Sequence, residues 1–127
     1  MIRLAFLLTG GSPVAEELVQ EAFIRLHARW DSVEHPRAYL RRSVVNAAAS
    51  HHRRRRLELR TSGSVVPEIF EQPIDELRDA VARLPQRQRA AVVLRYYEGL
   101  SDAEIAAALG CRVPAVKSLL YRALRDL

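Results

Sequence analysis

The clearest chemical signal in the chain is a set of capping, turn and basic residues close to its C-terminus. Ser101 and Glu104 have the spacing of a capping box, in which two side chains satisfy amide groups at the start of a helix. Gly110 then ends that helix, and Pro114 lies where a second helix can begin. Residues 100–127 therefore predict a helix-turn-helix, whose chemistry is hydrogen bonding to DNA and not bond cleavage.

The second helix of this pattern has an apolar side and a polar side. The positions predicted to be buried are Val113, Val116, Leu120, Ala123, Leu124 and Leu127. The positions predicted to lie opposite are Pro114, Ala115, Ser118, Tyr121, Arg122 and Arg125, with Lys117 and Leu119 at the borders. Small and basic side chains suit the major groove of DNA, although a core helix with a solvated face shows the same periodicity. The capping box, the glycine turn and the basic charge together favour DNA binding.

A second basic surface is predicted on a helix that begins after residue 35. Its core stripe consists of Tyr39, Leu40, Ser43, Val44, Ala47 and Ala48. The polar residues off this stripe are Arg37, Arg41, Arg42, Asn46 and Ser50, and four arginines follow at 53–56. An arginine run by itself also fits an import signal or a solvated tail. With Trp30 and Tyr39 near the start of the helix, the pattern indicates a nucleic-acid surface with stacking groups.

A helix predicted just ahead of this one carries an acidic face. Its core stripe is Leu18, Ala22, Phe23, Leu26 and Trp30, at helical spacing. The residues off the stripe include Glu16, Glu17, Gln20 and Glu21. In a basic protein such a face is suited to a basic protein partner, and a solvated helix face is the alternative interpretation.

Composition places the chain among small globular proteins, and its arginine-rich charge fits phosphate contact but equally fits a high-GC genome. It has 127 residues, 49% of them hydrophobic, a formal net charge of +5 and a pI of about 10.1. Residues 1–60 hold eleven arginines against six acids, residues 61–82 one arginine against five acids, and residues 83–127 eight basic residues against four acids. We predict an all-α fold of two helical domains, at 1–57 and 74–127, joined by an acidic linker at 58–73.

Nothing in the sequence predicts an enzyme. The histidines at 27, 35, 51 and 52 and the single cysteine, Cys111, lack zinc-ligand spacing, and no glycine-rich phosphate loop occurs. We therefore expect no catalytic residues, no cofactor and no metal site. A single cysteine agrees with a reducing compartment, and no apolar run is long enough to span a membrane. We expect a cytoplasmic protein without membrane insertion.

Two stretches of the chain resemble a known family. Residues 15–26, Trp30 and residues 36–46 resemble region 2 of the extracytoplasmic-function (group 4) sigma factors of the bacterial sigma-70 family. Residues 84–106 resemble region 4 of the same proteins, as do Val116-Lys117-Ser118 and Arg122-Ala123 further on. The opening residues 3–10 are most similar to sigma-E-like members from actinobacteria.

The resemblance implies a promoter-specificity subunit of bacterial RNA polymerase, with a region 2 bundle and a four-helix region 4. It implies docking on the β′ clamp helices of the polymerase through Glu16, Glu17, Gln20 and Glu21. It implies recognition and melting of the −10 promoter element by Arg37, Tyr39, Arg41, Arg42, Asn46 and Arg53. It implies recognition of the −35 element by Arg112, Pro114, Ala115, Lys117, Ser118 and Arg122. The β flap of the polymerase and an anti-sigma factor are further expected partners.

The chain departs from the family pattern at three places. One is His51-His52, where aromatic or apolar residues are common in the family, which bears on −10 preference. Family members carry further residues ahead of Met1, so we expect part of the N-terminal core to be uncovered. The residues concerned are Leu4, Leu7, Leu8, Phe23 and Trp30. Leu119 stands where the family often has arginine, so we expect one phosphate contact to be absent.

Two alternative functions stay open at this point. One is a stand-alone helix-turn-helix regulator, against which the acidic face and the arginine-rich helix argue, since neither builds a ligand pocket or an apolar dimer seam. The other is a degenerate sigma paralogue that binds a regulatory protein, for which the start at Met1 and Leu119 are the support.

Overall fold

A computed structural model describes residues 1–62 and 76–127, and every regular element within these ranges is a helix. The predicted all-α fold is confirmed. The elements are α1 (Ile2–Thr9), α2 (Ser12–Ala28), a 3₁₀ turn (Trp30–Ser32), α3 (Pro36–Ser62), α4 (Glu76–Arg83), α5 (Gln86–Val92, continuing as a π-helical segment over Val93–Tyr97), α6 (Asp102–Leu109) and α7 (Val113–Asp126). We call residues 1–62 the N-terminal module and residues 76–127 the C-terminal module.

The N-terminal module is a bundle in which α1, α2 and α3 all contact one another. Helix α1 stops at Gly10, whose φ of 81° is a conformation that only glycine adopts at little cost. The chain can therefore turn at once into α2. The buried residues of this bundle recur at three- and four-residue spacing and are Leu4, Ala5, Leu8, Ala15, Leu18, Val19, Ala22, Leu26, Leu40, Val44, Val45 and Ala48.

The structure corrects the predicted core of this module in two ways. Leu4 and Leu8, expected to be partly uncovered, are each only 1% exposed because α1 also packs against the C-terminal module. Phe23 and Trp30 are 50% and 58% exposed, so their predicted place in the core stripe is wrong, while the expectation that they are partly uncovered is confirmed. The α2 stripe that is buried is narrower than the sequence periodicity indicates.

The C-terminal module contains the predicted helix-turn-helix. Ser101 and Glu104 form a complete capping box, with the Glu104 amide donating to Ser101 Oγ at 3.2 Å and the Ser101 amide donating to Glu104 Oε1 at 3.1 Å. Gly110 ends α6 with a φ of 69°, and Arg112 precedes α7 in an extended conformation. The capping box and the glycine turn are both confirmed.

Helix α7 packs its central residues and leaves its end open. Val116, Leu120 and Ala123 are buried against α5 and α6, as predicted. The prediction was wrong for Leu124 and Leu127, which are 50% and 43% exposed. Neighbouring helices cover only the middle turns of α7. The apolar side predicted from periodicity extends past these turns, so its last residues are exposed.

The two modules pack against each other. Helix α1 contacts α5 and the π-helical segment, while α3 contacts α5 and α6. The predicted linker at 58–73 falls mostly outside the described residues, and α3 runs through its first positions to Ser62. Within the described ranges, no helix combines the length and apolarity needed to cross a bilayer.

We expect the Ser101→Ala change to lower the free energy of unfolding by about 1 kcal/mol, because it removes the side-chain acceptor at the start of α6. Urea unfolding followed by circular dichroism measures the change. The matched control is Ser118→Ala on the exposed face of α7, which we expect to leave stability within about 0.5 kcal/mol of the wild-type value. Equal losses in the two variants would show that the box does not stabilise α6.

Candidate nucleic-acid and partner interfaces

The predicted −35 residues lie together at the start of α7. Burial of Val116 and Leu120 fixes the rotation of the helix about its axis. That rotation turns the opposite side outward, so that every predicted residue of this set is exposed. The set is Arg112, Pro114, Ala115, Lys117, Ser118 and Arg122, which we call the α7 face. A short helix with small side chains at its N-terminal end and basic side chains around it can enter a major groove.

The predicted −10 residues divide between an open and a covered part of α3. Arg42, Asn46 and Arg53 are exposed and follow one another at helical spacing, with Arg53 Nη2 donating to Ser50 Oγ at 3.2 Å. Arg37 is also exposed, but it stands five residues before Arg42 and so lies on a different side of the helix. Arg42, Asn46 and Arg53 form a basic line along one side of the helix, which we call the α3 line.

Tyr39 and Arg41 are placed differently, since the C-terminal module covers them in part. The ring of Tyr39 packs against the hydrophobic core. The side chain of Arg41 is only 15% exposed, and its Nε lies 3.7 Å from Glu98 Oε2 of the C-terminal module. Residues from α3 and α6, including Tyr39, Arg41 and Glu104, line one cleft of about 510 Å³. The structure therefore does not present the whole predicted −10 set on a single open surface.

The acidic residues of α2 form one exposed face. Glu16, Glu17, Gln20 and Glu21 all lie opposite the buried side of the helix, clear of the C-terminal module. Ile24 continues this face and is 68% exposed. Acidic groups beside an exposed aliphatic side chain can bind a protein surface that offers both basic and apolar groups.

The end of α1 is capped by two basic side chains from different modules. A helix leaves its last four carbonyls without amide partners from within the helix. At the end of α1, the Gly10 amide donates to the Phe6 carbonyl only. Arg89 Nε donates to the Leu7 carbonyl at 2.6 Å, and His52 Nε2 lies 2.7 Å from the Leu8 carbonyl. Since a carbonyl only accepts, His52 Nε2 carries the proton.

Burial affects both of these basic groups. Arg89 is 8% exposed, and desolvation lowers the pKa of its guanidinium, although arginine keeps its charge at neutral pH. Desolvation also lowers the pKa of His52 below its ordinary value of 6.5. The hydrogen bond to Leu8 opposes that shift, while the charges of Arg89, Arg56 and Arg55 add to it.

A second cleft between the modules is lined by basic groups. It has a volume of about 870 Å³ and lies between the second half of α3 and the start of α5. Its lining includes Asn46, His52, Arg53, Arg55, Arg56 and Arg87. Within the described part of the chain, no cluster of histidine, cysteine, aspartate and glutamate could hold a metal ion.

The sequence analysis missed the residues that join the modules. Arg89 could have been noticed, because it directly precedes the apolar run at 90–94 and is buried together with that run. Glu98 gives no such signal, since a glutamate after a helix ordinarily faces water. The partners of Arg89 and His52 are backbone oxygens, which no side-chain pattern identifies.

Comparison with known families gives two matches that together span most of the chain. Residues 1–58 match sigma-70 region 2, and residues 74–127 match sigma-70 region 4. The first match covers the α3 line and the acidic face of α2, and the second covers the α7 face.

Similar proteins and structures are also found. The chain is 39% identical to the RNA polymerase sigma-E factor of Streptomyces coelicolor over 89% of this chain and 69% of that protein. It is 35% identical to the extracytoplasmic-function sigma factor EcfG of Rhodopseudomonas palustris over 94% of this chain and 72% of that protein. It also resembles the sigma factor RpoE in a crystal structure with the anti-sigma factor NepR from Bartonella quintana, with a TM-score of 0.83 and 27% identity over 98% of this chain and 85% of that one.

The His52 cap predicts a pH dependence of stability. Because the pKa of His52 is lowered in the folded chain, the unfolded chain takes up a proton first as the pH falls below 6.5. The stability that the neutral side chain contributes is thus complete above pH 6.5 and is lost as the pH falls through the lower folded-state pKa. We expect this part of the pH dependence to disappear in His52→Gln, which keeps a donor for Leu8.

Urea unfolding of both chains between pH 8 and pH 5 measures this effect. The carboxylates titrate in both chains, so the difference between the two profiles isolates His52. Parallel profiles over this range would contradict the assigned burial of a neutral histidine.

Proposed function

The chain belongs to the sigma-70 family, as an extracytoplasmic-function sigma factor that directs RNA polymerase to promoters, and we propose that its exposed faces divide this work among them. Sigma factors are not enzymes, and they act by binding core RNA polymerase and DNA. The observation that carries the proposal is that α2, α3 and α7 each expose a distinct face. The α2 face is acidic, whereas the α3 and α7 faces are basic.

The α7 face is proposed to bind the −35 element in the major groove. Lys117 and Arg122 would contact base edges or phosphates, while Pro114 and Ala115 allow close approach of the helix to the groove. Arg112, at the helix start, would contact the DNA backbone. Leu119 is half-buried and would add no phosphate contact, in keeping with the departure from the family pattern.

The basic line of α3 is proposed to bind the −10 element. Arg42 and Arg53 would contact phosphates, and Asn46 lies between them on the same side of the helix to hydrogen-bond an unpaired base. Arg37, on another side near the start of α3, would contact the DNA backbone separately. Tyr39 and Arg41 would join this surface once the C-terminal module has moved away from them. Binding unpaired bases in this way opens the duplex by binding energy alone.

The acidic face of α2 is proposed to dock on the β′ clamp helices of core polymerase. Its exposure on a face separate from the basic residues of α3 and α7 supports this assignment, because one protein must bind polymerase and promoter at the same time. The exposed apolar end of α7, at Leu124 and Leu127, is proposed to contact the β flap. We place this activity in the cytoplasm, where the chromosome and polymerase are.

An anti-sigma factor is proposed as a further partner. The support is the similarity to the Bartonella quintana sigma factor, which was crystallised with such a protein. The alternative of a degenerate paralogue that only binds a regulator predicts that polymerase binding is lost. The stand-alone regulator predicts tight promoter binding without polymerase.

We expect Glu17→Lys with Glu21→Lys to weaken binding to core RNA polymerase by at least about tenfold, since two attractive contacts become repulsive. Binding of a fluorescently labelled chain to core enzyme measures the effect. Asp31→Lys is the control, as an exposed acid of the same module outside the acidic face. Equal binding by the wild type and the double variant would exclude this face from the polymerase interface.

We expect Lys117→Ala with Arg122→Ala to reduce specific run-off transcription by about tenfold or more while core binding is retained, because the loss falls on promoter contacts alone. Run-off transcription on a promoter library with core polymerase is the measurement. Arg125→Ala, one turn further along α7, serves as the control and should have a smaller effect. Unchanged transcription in the double variant would remove α7 from promoter recognition.

A further inference from the structure

Arg41 is held in an unusual state for a surface arginine. Its side chain is 15% exposed, and its Nε is buried without a hydrogen-bond partner in the described part of the chain. The nearest carboxylate oxygen, Oε2 of Glu98, lies 3.7 Å away, within the range of an ion pair but beyond that of a hydrogen bond. A desolvated guanidinium is thus paired by charge and only partly satisfied.

The backbone that carries the Glu98 carboxylate is held by its own module. The Glu98 amide donates to the Val93 carbonyl at 3.2 Å, which closes the π-helical segment of α5. Gly99 follows with a φ of 69° and turns the chain towards α6. Glu104 on α6 lies close enough that the charge of Arg41 adds to the Ser101 hydrogen bonds in lowering the pKa of the Glu104 carboxyl. Two carboxylates of the C-terminal module therefore lie near one arginine of the N-terminal module.

We propose that Glu98 occupies, in the free protein, the place of a promoter phosphate at Arg41, so that the C-terminal module masks this part of the −10 surface until polymerase separates the modules. The inference rests on the proposed function, in which Arg41 binds the −10 element. It goes further by making Glu98 a determinant of when Arg41 is available to DNA.

The Arg41–Glu98 pair is suited to exchange. A carboxylate and a phosphate oxygen offer the same acceptor chemistry to a guanidinium. The phosphate can form two short charge-assisted hydrogen bonds, whereas Glu98 stays at 3.7 Å with no hydrogen bond to Nε. Exchange would also satisfy the buried Nε, which costs free energy while it has no partner.

The Arg41–Glu98 pair is one of several contacts that hold the modules together, so its loss should favour their separation. The hydrogen bond from Arg89 to the Leu7 carbonyl is short and buried, and it joins the C-terminal module to α1. Tyr39, Arg42, Ala107 and Ala108 line the same cleft as Arg41. A DNA strand could therefore reach Tyr39 and Arg41 only if α6 moved away from α3.

The test uses the full chain without polymerase and the variant Glu98→Gln, which removes the charge and keeps the side-chain shape. The DNA probe is a set of short labelled single-stranded oligonucleotides of randomised sequence, followed by fluorescence anisotropy. Small-angle X-ray scattering gives the radius of gyration of the same samples. The matched control is Asp79→Asn, which removes one exposed acid from the same module and changes the net charge equally.

We expect Glu98→Gln to bind the probe about three- to fivefold more tightly than Asp79→Asn, as loss of a partly exposed ion pair allows. Its radius of gyration should rise, and Glu98→Asp should give an intermediate affinity. In an Arg41→Ala background, Glu98→Gln should have no further effect on DNA binding. Unfolding curves for each variant show that the helices are intact.

Two different results would overturn the inference, and they are distinguishable from each other. If Glu98→Gln and Asp79→Asn have the same affinity for the DNA probe and the same radius of gyration, Glu98 does not mask Arg41. In that case a transcription defect of Arg41→Ala in the presence of polymerase would still support the −10 role of Arg41. If Glu98→Gln expands the chain without a gain in DNA affinity, and Arg41→Ala transcribes normally, the −10 role of Arg41 fails and the exchange fails with it.

Discussion

The arrangement of the two modules depends on how the end of α1 satisfies its backbone. Helix α1 has eight residues and stops at a glycine, so its final carbonyls would be buried without partners if nothing else reached them. His52 supplies one donor from within the N-terminal module, and Arg89 supplies the other from the C-terminal module. Arg89 is in addition a cation at the negative end of a helix dipole, which adds to its hydrogen bond. This capping lets α1 pack closely against the C-terminal module, and the apolar core shared by the two modules adds to it.

That packing divides the functional surfaces into those that are open and those that are not. The acidic face of α2 and the α7 face lie away from the module boundary and stay exposed. Helix α3 crosses the boundary, so Arg42 and Asn46 are exposed while Tyr39 and Arg41 face α6. The face proposed for polymerase docking is thus fully exposed, whereas part of the residue set proposed for the −10 element is covered.

Charged side chains at the boundary between the modules attract the modules to each other at one place and repel them at another. Arg41 faces Glu98 at one side of α3, whereas Arg53, Arg55, Arg56 and Arg87 converge on the cleft at the other side. Like charges in a shared cleft oppose close packing unless anions enter it. The modules are therefore held by shared apolar packing together with a few specific polar contacts, while the arginines on the other side of α3 oppose that packing.

The sequence by itself determined the features that depend on local periodicity and local backbone chemistry. It was sufficient for the all-α fold, the capping box at Ser101, the glycine turn at Gly110 and the polar side of α7, because capping residues and helical spacing act within a few positions. The same motifs identified the family, which the two matched regions establish. The assignment of individual residues to promoter elements stays a prediction.

Only the tertiary structure decided which apolar and basic side chains are covered. Periodicity placed Phe23, Trp30 and Leu124 in the core, but a stripe is buried only where another helix lies over it, and none does at these positions. The caps on α1 join residues 44 and 82 positions apart in the chain. Their acceptors are backbone carbonyls, which every residue carries, so no sequence pattern could mark them.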